Sequence, residues 1–145
     1  MKRFRFRLER VLRFRNTQLD EAKAALIRER LVLSTLEQER RTIEESIDLA
    51  GPIIGTISSE ELAIRALFGE GAKIHIEKLT DQIAEQERVV DELVSVYREK
   101  QQGVRVLEKL KERYREEYKQ EVSRQEIAEL DELGVLMKLR AGDDR

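Results

Sequence analysis

The sequence predicts an all-α fold, a long antiparallel two-helix coiled-coil hairpin with a short helical connector. Three observations predict it. Charged residues make up 40% of the 145 residues and aromatics 5%, a balance that suits long packed helices better than a compact globule. Aliphatic residues recur at steps of three and four along two long stretches, the spacing of a coiled-coil seam. One breaker, Gly51-Pro52-Ile53-Ile54-Gly55, separates the stretches and holds the only proline. Proline lacks an amide donor and its ring clashes with the preceding turn, so a helix arriving from the N-terminal side stops there. High charge also accompanies disorder, but a net charge of −2 and a sustained aliphatic repeat oppose that reading. The whole of residues 1–145 is expected to form a single coiled-coil domain.

The first helix is expected over residues 4–50. Its seam reads Leu8, Leu12, Arg15, Leu19, Ala22, Leu26, Glu29, Leu33, Leu36, Arg40, Ile43, Ile47 and Ala50, with Arg15, Glu29 and Arg40 as the polar interruptions. The first fifteen residues are strongly one-signed. Lys2, Arg3, Arg5, Arg7, Arg10, Arg13 and Arg15 face a single acid, Glu9, and interleave with Phe4, Phe6, Leu8, Val11, Leu12 and Phe14. Three readings fit: a coiled-coil start whose arginine stems cover apolar seam residues, an anchor on an acidic protein or membrane surface, or a nucleic-acid arm. Nucleic acid ranks last, because the rest of the chain carries no compensating basic surface.

The connector is expected over residues 51–71. Ser58 and Glu61 have capping-box spacing and predict a short helix over 59–68, which Gly69 and Gly71 end or loosen. Leu62, Ile64, Leu67 and Phe68 are expected to fold back onto the hairpin tip. Gly69-x-Gly71 is no phosphate loop, since no strand precedes it and the P-loop lysine is missing.

The second helix is expected over residues 72–138, with its seam at Ile76, Leu79, Ile83, Gln86, Val90, Leu93, Tyr97, Lys100, Val104, Leu107, Lys111, Tyr114 and Tyr118. Laid antiparallel, the seams predict one register: Ile47 opposite Ile76, Ile43 opposite Leu79, Leu36 opposite Gln86, Glu29 opposite Leu93, Leu19 opposite Val104, Arg15 opposite Leu107 and Leu8 opposite Tyr114. Gly103 falls within this helix and is read as simply tolerated there, at about 1 kcal/mol relative to alanine. In that register the first helix runs out opposite residue 121. The second continues through Val122, Ile127, Leu130, Leu133, Leu136 and Met137, an apolar stripe with no intrachain partner. An unsupported helix is only marginally stable in water, so a partner protein is expected to cover this stripe as a helix in a groove.

Several function classes are excluded or disfavoured. There is no cysteine, hence no disulfide framework and no thiolate metal site. His75 is the only histidine and has no second ligand at helical spacing. The carboxylates lie along solvated faces, and no catalytic group set assembles. No apolar run approaches the roughly 20 residues of a membrane span, and the N-terminus lacks the apolar core of a secretory signal. The chain is therefore read as a protein-binding rod, with no enzyme activity, no cofactor and no metal.

The opening Phe4-x-Phe6-Arg7-Leu8-x-x-Val11-Leu12 and the later run Leu107-Glu108-Lys109-Leu110-Lys111-Glu112-Arg113, followed by Asp131-Glu132, resemble the FliJ family of bacterial flagellar type III export. The resemblance implies a soluble cytoplasmic protein, peripheral at the inner face of the cell membrane, whose coiled coil is similar to the central stalk of rotary ATPases. It implies three partners: the flagellar export ATPase, an export-gate membrane protein and export chaperones. By similarity, the ATPase end would carry Phe4, Phe6, Arg7, Leu8 and Val11 with Ile127, Leu130 and Leu133. The export-gate face would be His75, Leu79, Gln82 and Gln86. A monomer with no nucleic-acid partner is expected. The alternatives are the stalk-like rod of an injectisome or rotary ATPase, and a self-associating structural coiled coil.

Overall fold

The computed structural model describes residues 3–143; Lys2 of the basic start lies outside them. It contains two helices, α1 (Glu9–Ala50) and α2 (Ser59–Asp143), and no strand among the described residues. The helices pack against each other as an all-α hairpin, as the seams predict.

The helix ends follow local chemistry. Gly51 closes α1 in the left-handed region, at φ 62°, and its N–H donates to the Asp48 carbonyl at 3.2 Å. Glycine reaches that conformation without the Cβ clash. Gly55, at φ 82°, turns the connector again. Ser58 caps α2, its hydroxyl accepting the Glu61 N–H at 3.2 Å, and Glu60 and Glu61 place negative charge in the first turn, where the helix dipole favours it.

Two expected boundaries are corrected. Residues 59–68 do not form a separate helix: α2 runs unbroken from Ser59 through Gly69 and Gly71 to Asp143. Once a helix is nucleated each further residue adds a hydrogen bond, and an interior glycine weakens it by about 1 kcal/mol without blocking it as proline does. Leu62, Ile64, Leu67 and Phe68 consequently do not fold back and are 49–73% exposed. At the other end, α1 begins at Glu9 rather than at residue 4. Phe4 and Phe6 lie two apart, which in a helix would turn them to nearly opposite sides; a non-helical approach sends both the same way.

Contacts divide the chain into two compact units, Gln18–Lys100 and Met1–Thr17 with Gln101–Arg145. In the first, Leu26 on α1 and Ala72, Leu79, Ile83 and Val90 on α2 are buried, Leu79 most deeply at 2% exposure. The helices are antiparallel: Gln86 meets Glu29, and His75 lies 3.5 Å from Glu39 further along α1. In this unit the predicted seam positions are buried or half-buried except Ile47 and Ala50, which are exposed, but the register is not the one predicted. Gln86 faces Glu29 instead of Leu36, one heptad away. A displacement of seven residues keeps every a and d position on the seam, so apolar periodicity alone does not separate the two registers. The polar seam residues do, because this alignment joins Gln86 to Glu29.

In the second unit Phe6, Leu12, Val104 and Leu107 are buried. Its register also departs from expectation. Tyr114 packs on Phe6 instead of Leu8, and Glu9 pairs with Lys111. Arg15 crosses Gly103, where a Cβ would lie 2.8 Å from the guanidinium Nη1. The atom met is the flexible end of an exposed arginine, which can move aside, so nothing here departs from the tolerance expected of Gly103.

Candidate protein-interaction surfaces

Residues 3–6 are a non-helical lead-in, and residues 7 and 8 turn it into α1. Phenylalanines two apart on this lead-in meet tyrosines four apart on α2. Phe4 stacks at a tilt on Tyr118, with ring centroids 5.6 Å apart, and Phe6 on Tyr114 at 6.1 Å. Each such pair adds about 0.5–1.5 kcal/mol beyond its buried area. Cations close the arrangement: Lys111 Nζ stands 6.0 Å from the Phe6 ring centre and the Arg115 guanidinium 5.7 Å from that of Phe4.

Glu9 is the acid of this end. The Lys111 ammonium lies 2.9 Å from its Oε2, an oxygen otherwise closed off from solvent. The hydrogen bond from Lys111 holds the Glu9 carboxyl below its ordinary range against the opposing effect of desolvation, and the charges of Lys111, Arg13 and Arg115 act in the same direction as the bond. Around the pair opens a cleft of about 750 Å³. Its walls include Arg3, Arg5, Arg7, Arg10, Arg13 and Arg115.

Among the residues expected at the ATPase end, Phe6 is buried, Phe4 and Leu8 are half-buried, and Arg7 and Val11 are exposed. Phe4 and Phe6 form the aromatic ladder, and Arg7 lines the cleft beside it. Ile127, Leu130 and Leu133 stand on the free part of α2, beginning about 13 Å beyond Tyr118 at helical rise, and are 59%, 66% and 54% exposed. Val135, Leu136, Met137 and Leu139 are exposed with them. From Ser123 to Asp143 every residue is exposed, so the apolar overhang expected from the sequence is present.

The face expected to meet the export gate is divided by the seam. His75 and Gln82 are exposed, Leu79 is the most buried side chain among the described residues, and Gln86 is half-buried and committed to Glu29. A second cleft, about 440 Å³, opens beside it, lined by Leu36, Asp81, Gln82, Glu85 and Gln86.

The heptad pattern puts Tyr114 and Tyr118 in the seam and assigns Lys111 and Arg115 no role at the basic end. The one available signal is spacing: phenylalanines two apart do not share one face of a helix. Among the described residues no helix is long and apolar enough to cross a membrane, and no group of three or more His, Asp or Glu is placed to hold a metal ion.

No curated protein and no solved structure matches the chain. The sequence model of the family described as "Flagellar FliJ protein" matches residues 4–142. With nearly its whole length so matched, and with the helical hairpin in place, the chain belongs to the flagellar FliJ family.

Proposed function

We propose that this flagellar export-associated coiled-coil protein is a rod that couples the export ATPase ring to the export gate and also binds export chaperones. The rod acts by binding and performs no chemistry. The observation that carries the reading is the apolar overhang from Ile127 to Leu139, exposed over seven large side chains in the same unit as the aromatic-basic lead-in. A helix with that much apolar surface in water gains by inserting into a groove or ring. The ATPase contact is then made by Phe4, Phe6, Arg7, Leu8 and Val11 together with Ile127, Leu130 and Leu133. Phe4 and Phe6 act by bracing the lead-in on α2, and Arg7 and Val11 by touching the partner.

The gate contact is assigned to His75 and Gln82, with Leu79 and Gln86 holding them in place through the seam. The chain works as a monomer at the inner face of the cell membrane. The test is a pull-down from a motile bacterium, using full-length bait and bait lacking residues 123–145. Recovery of the export ATPase by full-length bait alone supports the reading; equal recovery by both baits removes the overhang from it.

A further inference from the structure

We infer that the N-terminal cleft receives the phosphate headgroups of an anionic membrane surface, with Phe14 and Val11 entering the interface beside it. The inference rests on the proposed position of the rod at the membrane, and it draws on Arg7 and Val11, which the proposed ATPase contact also uses, so lipid and ATPase are alternative occupants of this end.

Four features converge on it. Arg3, Arg5, Arg7 and Arg10 line a cleft of about 750 Å³, and among the described residues none of the four has a carboxylate within ion-pair distance. The one acid there, Glu9, is occupied by Lys111. Like charges so gathered repel unless an anion enters, and guanidinium forks match phosphate oxygens two at a time. On α1, Phe14 follows Arg10 by one turn and neighbours Val11, so the three share a face. Phe14 is 62% exposed and Val11 40%. Apolar side chains standing beside arginines form the amphipathic pattern of an interfacial contact.

That pattern decides between anions. A soluble oligophosphate needs the arginines and has no use for an exposed Phe14. A duplex nucleic acid lying along the rod would meet a chain with 30 acids against 28 bases. A lipid surface uses both features: phosphates meet the cleft and the acyl boundary receives Phe14.

The experiment is vesicle flotation with the full chain, comparing vesicles of phosphatidylglycerol and phosphatidylethanolamine with vesicles of neutral phosphatidylcholine. Binding is expected to the anionic vesicles alone and to weaken as salt rises. Removing two charges with Arg10→Gln/Arg13→Gln is expected to weaken it about thirtyfold, at roughly one factor of five per basic residue near the surface. Phe14→Ser is expected to weaken it at least about fivefold at unchanged helicity, since the side chain is exposed. Equal binding to neutral and anionic vesicles, or none to either, overturns the inference. So does displacement by tripolyphosphate or duplex DNA together with indifference to Phe14→Ser, which would assign the cleft to a soluble polyanion. Binding to purified export ATPase is measured in parallel with the same proteins. If that binding persists while flotation fails, the lipid site alone falls; if the ATPase contact is absent from the unaltered chain, the coupling reading falls and the flotation result stands by itself.

Discussion

Gln86 on α2 donates from its side-chain amide to Glu29 on α1 twice over, to the carbonyl oxygen at 3.0 Å and to the carboxylate Oε2 at 2.6 Å. This polar layer selects one register from two that the heptads alone leave equivalent, as single polar residues do in other coiled coils. Gln86→Leu is expected to destabilise the hairpin by about 1–3 kcal/mol, because it leaves a half-buried carboxylate without its donor. Glu29→Leu/Gln86→Leu is expected to recover that loss and to release the register. The absence of native cysteine makes the register measurable. Oxidation of Gln82→Cys with cysteine placed at residue 33, near the observed alignment, should cross-link in the native chain; with cysteine at residue 40, one heptad on, it should do so only in the double leucine variant.

Heptad spacing explains what was legible in the sequence. Apart from Ala72, the buried residues of α1 and α2, from Leu12 and Leu26 to Leu79 and Val104, lie on the predicted seams, because burial at steps of three and four is a direct consequence of helical pitch. The register was not legible, since moving by seven residues changes no a or d position and the decisive Glu29–Gln86 bond is weak beside the summed apolar pattern. The connector was misread because Gly69 and Gly71 resemble stops, whereas nothing nearby supplies the αL turn that Gly51 makes. The overhang was legible as an unbalanced length of seam. The basic cleft was not, because it depends on residues 3–8 leaving the helix.

The aromatic ladder carries much of the stability of its end. Phe6 is 7% exposed and packs on Tyr114. Phe6→Ala is expected to cost about 2–4 kcal/mol, lost burial plus a cavity only partly refilled at the end of the hairpin. Phe14→Ala, on an exposed face, is expected to cost less than about 0.5 kcal/mol. Urea unfolding followed by circular dichroism distinguishes them; equal costs would mean that the lead-in does not hold α2.

The Glu9–Lys111 pair makes a prediction in pH. Glu9 titrates below its ordinary value of 4.5 in the folded chain, chiefly through its hydrogen bond with Lys111. A carboxyl depressed by folding adds stability above its unfolded pKa, and that contribution is lost as pH falls through the folded value. Lys111→Met should therefore melt lower than the native chain at neutral pH. The difference should shrink once the solution is acidified below the glutamate range. A gap that stays constant through that range would assign the effect of Lys111 to its packing over Phe6.

The glycines of α2 separate into two kinds. Gly69 and Gly71 have nothing within 4 Å of an added Cβ, so alanine at either should raise stability by about 0.5–1 kcal/mol through helix propensity. Gly51→Ala should lower it, because its φ of 62° strains a residue with a Cβ. Thermal melts of the three variants check the ordering, and a destabilising Gly69→Ala would indicate that α2 needs to bend there.

The central claim is that the free C-terminal stripe of α2 is a binding element and not part of the hairpin's own stability. The measurement is titration calorimetry of purified export ATPase with the full chain and with the chain lacking residues 123–145, each first shown to melt at the same temperature. Saturable binding by the full chain is expected, with a loss of at least tenfold in affinity on truncation and melting unchanged. Unchanged affinity, or collapse of the hairpin when the stripe is removed, would contradict it.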